Sequence, residues 1–245
     1  MERGRTLGWF RAIAVDYDGT LTTHEAPRQE VLDLLSQWRS RGGRVVLVTG
    51  RILNELFEVF PDVGSCVDLV VAENGAVLWN GKRSRLLARP VAASLSDALV
   101  SRGVPCRRGS AILATHGSFV LAIEAAIGEL GLDVQLVSNR SEMMVLPAGI
   151  SKGTGVRDGL RALGMSPHSA VAIGDGENDQ ALLRACELGV AVANAVPSLR
   201  HEADLITQAS DADGVIELLQ GPFVRGTARA HSARWRVDLG IDETA

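Results

Sequence analysis

Cysteine is scarce in this chain: three residues in 245, Cys66, Cys106 and Cys186, lie far apart and show no paired spacing. That excludes a disulfide framework and a cysteine-based zinc site, and a reducing, cytoplasmic setting is expected. Positive charge is not in excess either. The formal net charge is -4 and the pI near 5.8, so the basic footprint of a nucleic-acid binder is missing. Long apolar runs are absent as well: the stretch after the basic N-terminus is broken by Arg11 and ended by Asp16, so neither a secretion signal nor a membrane span is read. No internal repeat or low-complexity segment stands out. What remains, 46% apolar and 22% charged residues, is the composition of a soluble globular protein with one large or two unequal domains.

Strand-like and helix-like segments alternate, as in a parallel sheet covered by helices. "RAIAVD" reads as a short buried strand. From Pro27 to Gly42, Val31, Leu34, Leu35 and Trp38 recur at helical spacing, and Gly42-Gly43 ends that helix. "RVVLVTGR" reads as a strand buried on both faces, followed by a short helix from Ile52 towards Pro61. "VDLVVAENGA" repeats the theme. At Trp79 the pattern changes, with Asn80-Gly81 offering a hairpin turn. Residues 83–146 are then expected to form an inserted α+β unit. It would hold helices over Val91 to Arg102 and Phe119 to Leu130, and strands in "SAILATH", "DVQLVSN" and "EMMVLP". The main pattern resumes with a helix after Lys152, the strand "AVAIGD", a helix from Asn178 to Cys186, and "LGVAVAN". The fold class expected is α/β: a Rossmann-like parallel-sheet core from residues 1–82 and 147–220, interrupted by the smaller cap. The arginine-bearing segment 221–245 is a tail whose form the sequence leaves open, and which could mark a partner contact or a further domain.

Polar residues gather just past the carboxyl ends of the expected strands: Asp16 and Asp18, Thr49, Glu73 and Asn74, then Asp175, Asn178 and Asp179. Ligands bind at that edge of open α/β sheets. Each piece alone has an ordinary explanation. Asp18-Gly19-Thr20 can be a turn, Thr49-Gly50 a helix N-cap, "GDGEND" a polar loop or a fragment of a calcium loop, and Lys152 a surface lysine. Together, however, three carboxylates at one edge would repel one another unless a cation sat among them, and oxygen ligands favour Mg²⁺. Thr49 and Lys152 add donors for a phosphate beside it.

In this ordered set the chain resembles phosphatases of the haloacid dehalogenase superfamily, Cof-type branch. Asp16-Tyr17-Asp18-Gly19-Thr20 matches the first motif, Thr49 in "VTGR" the second, Lys152 the third, and Asp175 with Asp179 in "GDGEND" the fourth. "ENGA" at Glu73 to Ala76 and "VANAVPSLRHEAD" match segments of that branch. Tyr17, where an aliphatic or Phe residue is common, is also tolerated in trehalose-phosphate phosphatases. The short insert is similar to the caps of archaeal phosphoglycolate phosphatases and of sucrose- or mannosylglycerate-type phosphatases.

The resemblance implies that Asp16 attacks phosphorus to form an aspartyl-phosphate and that Asp18 serves as acid and then base. It implies Mg²⁺ held by the Asp16 carboxylate, the Asp18 carbonyl and Asp175, with Asp179 supporting the metal or Lys152. Thr49, Gly50, Arg51 and Lys152 would hold the phosphoryl oxygens, and Asn74, Asn178 and Asn194 would line the pocket. Arg107, Arg108, His116, Asn139 and Arg140 are the candidate leaving-group contacts in the cap. His24 follows the first motif, whereas His168, His201 and His231 invite no role. The expected partner is a small phosphorylated metabolite, with the chain a monomer or homodimer and neither nucleic acid nor membrane involved. Two other functions fit parts of the pattern: a phosphomutase of phosphomannomutase type, and a phosphoaccepting signalling module. "VTGR" and "ENGA" favour hydrolysis over the first, while the cap and Asp18 argue against the second.

Overall fold

The structure is a computed structural model and describes residues 8–23, 26–139, 141–222 and 224. The N-terminal half runs β1 (Ala12–Asp16), α1 (Gln29–Ser40), β2 (Arg44–Val48), α2 (Leu53–Val59), α3 (Val63–Cys66), β3 (Leu69–Ala72), β4 (Val77–Trp79) and β5 (Ser84–Leu86). Next come α4 (Ala93–Ser101), β6 (Arg107–Arg108), β7 (Leu113–His116), α5 (Val120–Leu130), β8 (Val134–Asn139) and β9 (Glu142–Pro147). The chain closes with α6 (Lys152–Ala162), β10 (Ala170–Gly174), α7 (Gln180–Leu183), β11 (Leu188–Ala191), α8 (Pro197–Glu202), β12 (Leu205–Ile206) and α9 (Asp211–Gln220).

Eight strands form one sheet in the order β12-β11-β10-β1-β2-β3-β4-β5, parallel up to β3 and antiparallel for the last two. The central strands contain little but Val, Ile, Leu and Ala because both their faces are covered, and β1, β3, β10 and β11 are buried at every residue. Each fully buried aliphatic side chain contributes about 1.5–3 kcal/mol. β6-β7-β9-β8 form a second, antiparallel sheet with its own core, in which Leu95 and Leu99 of α4 and Ile123 of α5 pack with Leu113 and Val145. The expected parallel-sheet core and smaller α+β unit are therefore present.

The expected boundary at residue 83 needs correction. β5 pairs with β4 and so belongs to the large sheet, and the chain leaves that sheet only after Leu86. β5 is exposed along its length and lacks the apolar alternation that would have revealed it. The Asn80-Gly81 turn is as expected, with Gly81 at φ +86° and Asn80 Oδ1 accepting the Lys82 and Arg83 N–H groups. Among the described residues no helix is long and apolar enough to cross a membrane. The tail from Arg225 onward, His24 and Arg140 lie outside the described residues.

The start of α6 is pinned against the loop after β3 by two glycines. A Cβ on Gly155 would lie 2.5 Å from the Gly75 Cα, and one on Gly75 would lie 2.0 Å from the Ser151 carbonyl oxygen. Only backbone fits between them. Gly155→Ala is therefore expected to cost about 1–3 kcal/mol by overpacking, lowering Tm by about 2–12 °C, as thermal unfolding would show. An unchanged Tm would mean that this contact relaxes freely.

Candidate active site

Register alone brings the sheet-edge residues together. Asp16 pairs with Val48 and Val15 with Ile173, so the carboxyl ends of β1, β2 and β10 are level and deliver Asp16, Thr49 and Asp175 to one place. Lys152 arrives from α6, whose N-terminus is fixed by a capping box between Ser151 and Thr154. Its Nζ donates to Asp16 Oδ1 at 2.6 Å and to Asp179 Oδ1 at 2.7 Å, and all three side chains are buried. Asp179 Oδ2 in turn accepts the N–H groups of Asp175 and Gly176. Both oxygens of Asp179 are thus occupied in holding Lys152 and the loop after β10.

Burial raises the Asp16 carboxyl well above the usual range, and the nearby Asp179 carboxylate adds to the rise while Lys152 opposes it. For Lys152, burial alone would lower the pKa, but the Asp16 and Asp179 carboxylates prevail and keep it an ammonium. Lys152 thus serves two of the three carboxylates gathered here. Asp16, Asp175 and Asp179 each offer an oxygen, all within 4.8 Å of one another, and Asp175 is steadied by the Thr20 hydroxyl at 3.2 Å. The all-oxygen donor set suits a hard divalent cation.

Asp18 stands beside this cluster, outside the carboxylate triad. Its carboxylate receives Arg51 through Nε at 2.8 Å and Nη2 at 2.6 Å, and the guanidinium also lies 5.4 Å from the centre of the Tyr17 ring. Tyr17 is fully buried and stacks on Phe60, and burial pushes its hydroxyl up to about 12. Arg51, expected on the phosphate, lines the same cavity with its guanidinium on Asp18. Thr49 is buried, and its hydroxyl oxygen accepts the Arg51 N–H.

A cavity of about 400 Å³ opens over Asp16, Asp18, Gly50, Arg51 and Lys152. Its far wall comes from the second sheet and includes Arg107, Ala114, Asn139, Ser141, Glu142 and Met144. Two of the residues expected to reach the leaving group, Arg107 and Asn139, therefore line this cavity. Arg108 is not, because its guanidinium binds the Val91 carbonyl. His116 is exposed and bonds the Ser118 hydroxyl at 2.8 Å, away from the cavity lining. Asn194 also departs from expectation. It donates to the Gly19 carbonyl at 2.9 Å and joins Asp211, so it braces the first-motif loop instead of facing the pocket. Asn178 donates to Asn74 Oδ1 at 2.9 Å, and both line a neighbouring cavity of about 270 Å³ that also reaches Lys152.

The chain matches the haloacid dehalogenase-like hydrolases over residues 13–100 and 123–219. It belongs to that family. Among relatives of the hydrolase, a phosphoglycolate phosphatase of Methanothermobacter thermautotrophicus is 31% identical over 86% of this chain and 98% of its own. A phosphoglycolate phosphatase of Natronomonas pharaonis is 33% identical over 84% of this chain and 95% of its own. A solved sugar phosphatase of subclass IIB in this superfamily shares the fold, with a TM-score of 0.64 at 19% identity, covering 80% of this chain and 93% of that one. The sequence-based expectation of a phosphatase is met at the level of the family and these phosphatase relatives.

The sequence of the hydrolase does not reveal two of the site's groups, nor the partner of a third. Glu55 and Glu142 meet Arg107 at the rim, and nothing in their sequence context separates them from solvated surface charges. Glu73 was placed at the sheet edge, but its buried carboxylate contacts the cap, as described below.

Proposed function

We propose that the protein is a Mg²⁺-dependent phosphomonoester hydrolase acting on a small phosphorylated metabolite, with Asp16 as nucleophile. One observation carries this reading: Asp16 is buried at the floor of the capped cavity with Oδ1 on the Lys152 ammonium, while its Oδ2 takes no hydrogen bond from the described residues. That leaves one oxygen for phosphorus. The attack forms an Asp16–phosphorus bond and breaks the ester bond, and Asp18 gives the leaving oxygen its proton. Water then attacks phosphorus, Asp18 takes the proton, and phosphate departs with Asp16 restored. To do this Asp18 exchanges its Arg51 contact for the leaving oxygen. Thr49, the Gly50 N–H and Lys152 would cradle the phosphoryl oxygens.

Asp16, Asp175 and the Asp18 carbonyl would hold the cation, with Asp179 behind them. When bound, Mg²⁺ supplies charge that offsets the repulsion between a phosphate dianion and a carboxylate nucleophile.

The volume suits a small leaving group. Asn139 Oδ1 is a buried acceptor without a donor, and Glu55 and Glu142 add acceptors at the rim, which favours a leaving group that carries hydroxyls. The test is phosphate release from sugar phosphates, 2-phosphoglycolate and 4-nitrophenyl phosphate, with and without Mg²⁺. Metal-dependent release, fastest with a hydroxylated compound, supports the proposal. Transfer of the phosphoryl group between sugar positions without release points to a mutase, and no reaction with a folded, Mg²⁺-binding protein overturns it.

Metal and proton should compete. With its pKa raised, metal-free Asp16 binds a proton more readily than in the unfolded chain, so its contribution to stability declines as pH rises from the ordinary carboxylate value through the raised one. A cation reverses that penalty. At about 100-fold over its Kd, Mg²⁺ is expected to add about 2.7 kcal/mol and raise Tm by about 5–11 °C at pH 7.5. The gain should shrink towards pH 5 in a thermal shift titration. A gain that grew on acidification would contradict the carboxylate site.

A further inference from the structure

Glu73 is fully buried at the end of β3, and among the described residues its carboxylate has no Lys or Arg partner. Instead Oε1 accepts the Ser110 N–H at 2.9 Å and Oε2 the Ala111 N–H at 2.7 Å. Those amides belong to the turn between β6 and β7 of the cap, so the carboxylate of one sheet's edge is bound by the backbone of the other. A charged side chain is costly to bury and gains nothing as mere filler, and what these two bonds add is a fixed direction and length.

The same short segment reads the catalytic loops through its backbone. Glu73 N donates to the Arg51 carbonyl at 3.0 Å, and Asn74 N to the Thr49 carbonyl at 3.1 Å. The Asn74 side chain then spans from Asn178 to Met144 Sδ on the cavity wall. On the cap side, the turn held by Glu73 leads into β7, where Ala114 lines the cavity and pairs in register with Met144. Moving Ser110 and Ala111 moves that wall. The charged link across the cavity, Arg107 with Glu55, involves a guanidinium half exposed to solvent and is correspondingly weak.

We propose that Glu73 is a positioning residue: its two hydrogen bonds set the cap wall at a fixed height over Asp16, and thereby decide which leaving groups are turned over. Gly109 is its counterpart on the cap. A Cβ there would lie 2.6 Å from Glu73 Oε2 and 2.7 Å from Cδ, so only glycine lets the turn close on the carboxylate.

The test uses the full chain with Glu73→Ala, Gly109→Ala and the double variant, and two measurements. Amide hydrogen exchange at Ser110 and Ala111 is expected to quicken at least about tenfold in Glu73→Ala, as for a lost hydrogen bond of about 1.4 kcal/mol. The second measurement, which rests on the proposed hydrolase reading, compares kcat/KM for the best substrate of the panel with that for acetyl phosphate, whose leaving group is too small to need the cap. Glu73→Ala should lower the former about 10–100-fold, the scale of an ångström-sized misplacement, and the latter less than about threefold. Gly109→Ala should shift the ratio the same way, and the double variant should be no worse than Glu73→Ala, because the clash has lost its partner. Should Glu73→Ala fail to fold, Gly109→Ala and Glu73→Gln carry both measurements. Equal losses on the two substrates, or unchanged exchange at Ser110 and Ala111, overturn the proposal. If the panel shows no turnover at all, the hydrolase reading fails, and the exchange measurement alone still decides whether Glu73 anchors the cap.

Discussion

Asp16→Asn is expected to lower kcat by at least about 10⁴-fold, the scale seen when a covalent nucleophile is removed, while the chain stays folded. The amide keeps the shape of the carboxylate but cannot form the acyl-phosphate. It also removes a charge that burial and Asp179 already disfavour in the metal-free protein, and Lys152 keeps Asp179 as its partner. Thermal stability without metal should therefore be equal to or above that of the wild type, whereas the stabilisation by Mg²⁺ should fall. Steady-state kinetics and paired melts with and without Mg²⁺ check both halves. Residual activity within about tenfold of wild type would move the nucleophile elsewhere.

Lys152→Met has the second large effect, and this one is structural as well as chemical. The ammonium is 2% exposed between two carboxylates that are 4% and 0% exposed. Removing one member of a buried ion pair costs about 3–5 kcal/mol, a fall in Tm of about 6–20 °C for a chain of this size. The folded-state pKa of Lys152 is raised, so its stabilisation is fully present below the ordinary lysine value and is lost from the variant across the whole neutral range. Acid should partly rescue the variant. Without the ammonium, Asp16 is pushed higher still and gains a proton more readily, so the Tm gap to wild type should narrow from pH 7.5 to pH 5. Turnover should fall about 10²–10³-fold, as when one donor to a developing anion is lost. A gap that widened on acidification would mean that Lys152 does not compensate Asp16 and Asp179.

Much of this was legible in the sequence, for a physical reason. Strands buried on both faces must be continuously apolar, so "RAIAVD" and "RVVLVTGR" announce β1 and β2, and the carboxylates that end them must lie at the sheet's edge. Parallel register then brings Asp16, Thr49 and Asp175 together without further information. The parts that were not legible depend on partners remote in sequence. Nothing near Arg51 indicates that its guanidinium belongs to Asp18, nor near Asn194 that it braces Gly19. The helix expected from Asn178 to Cys186 is a 3-10 turn over Glu177–Asp179 and four residues of α7, after which the Ala185 and Cys186 N–H groups bond only three residues back. β6 is two arginines, with no apolar pattern to detect. Glu73 is the hardest case: the sequence places it at the sheet edge, but its partners, the Ser110 and Ala111 N–H groups, come from a second sheet that closes over it.

In the proposed mechanism the phosphoryl group passes through Asp16, and its passage can be seen directly. The enzyme would be mixed with excess substrate and Mg²⁺, quenched in acid within the first turnovers, and reduced with borohydride, which converts an aspartyl-phosphate to homoserine. Peptide mass spectrometry should then find homoserine at position 16 in the wild type and not in Asp16→Asn. Unmodified Asp16 in an enzyme that is turning over and phosphorylated at another residue would contradict the central claim.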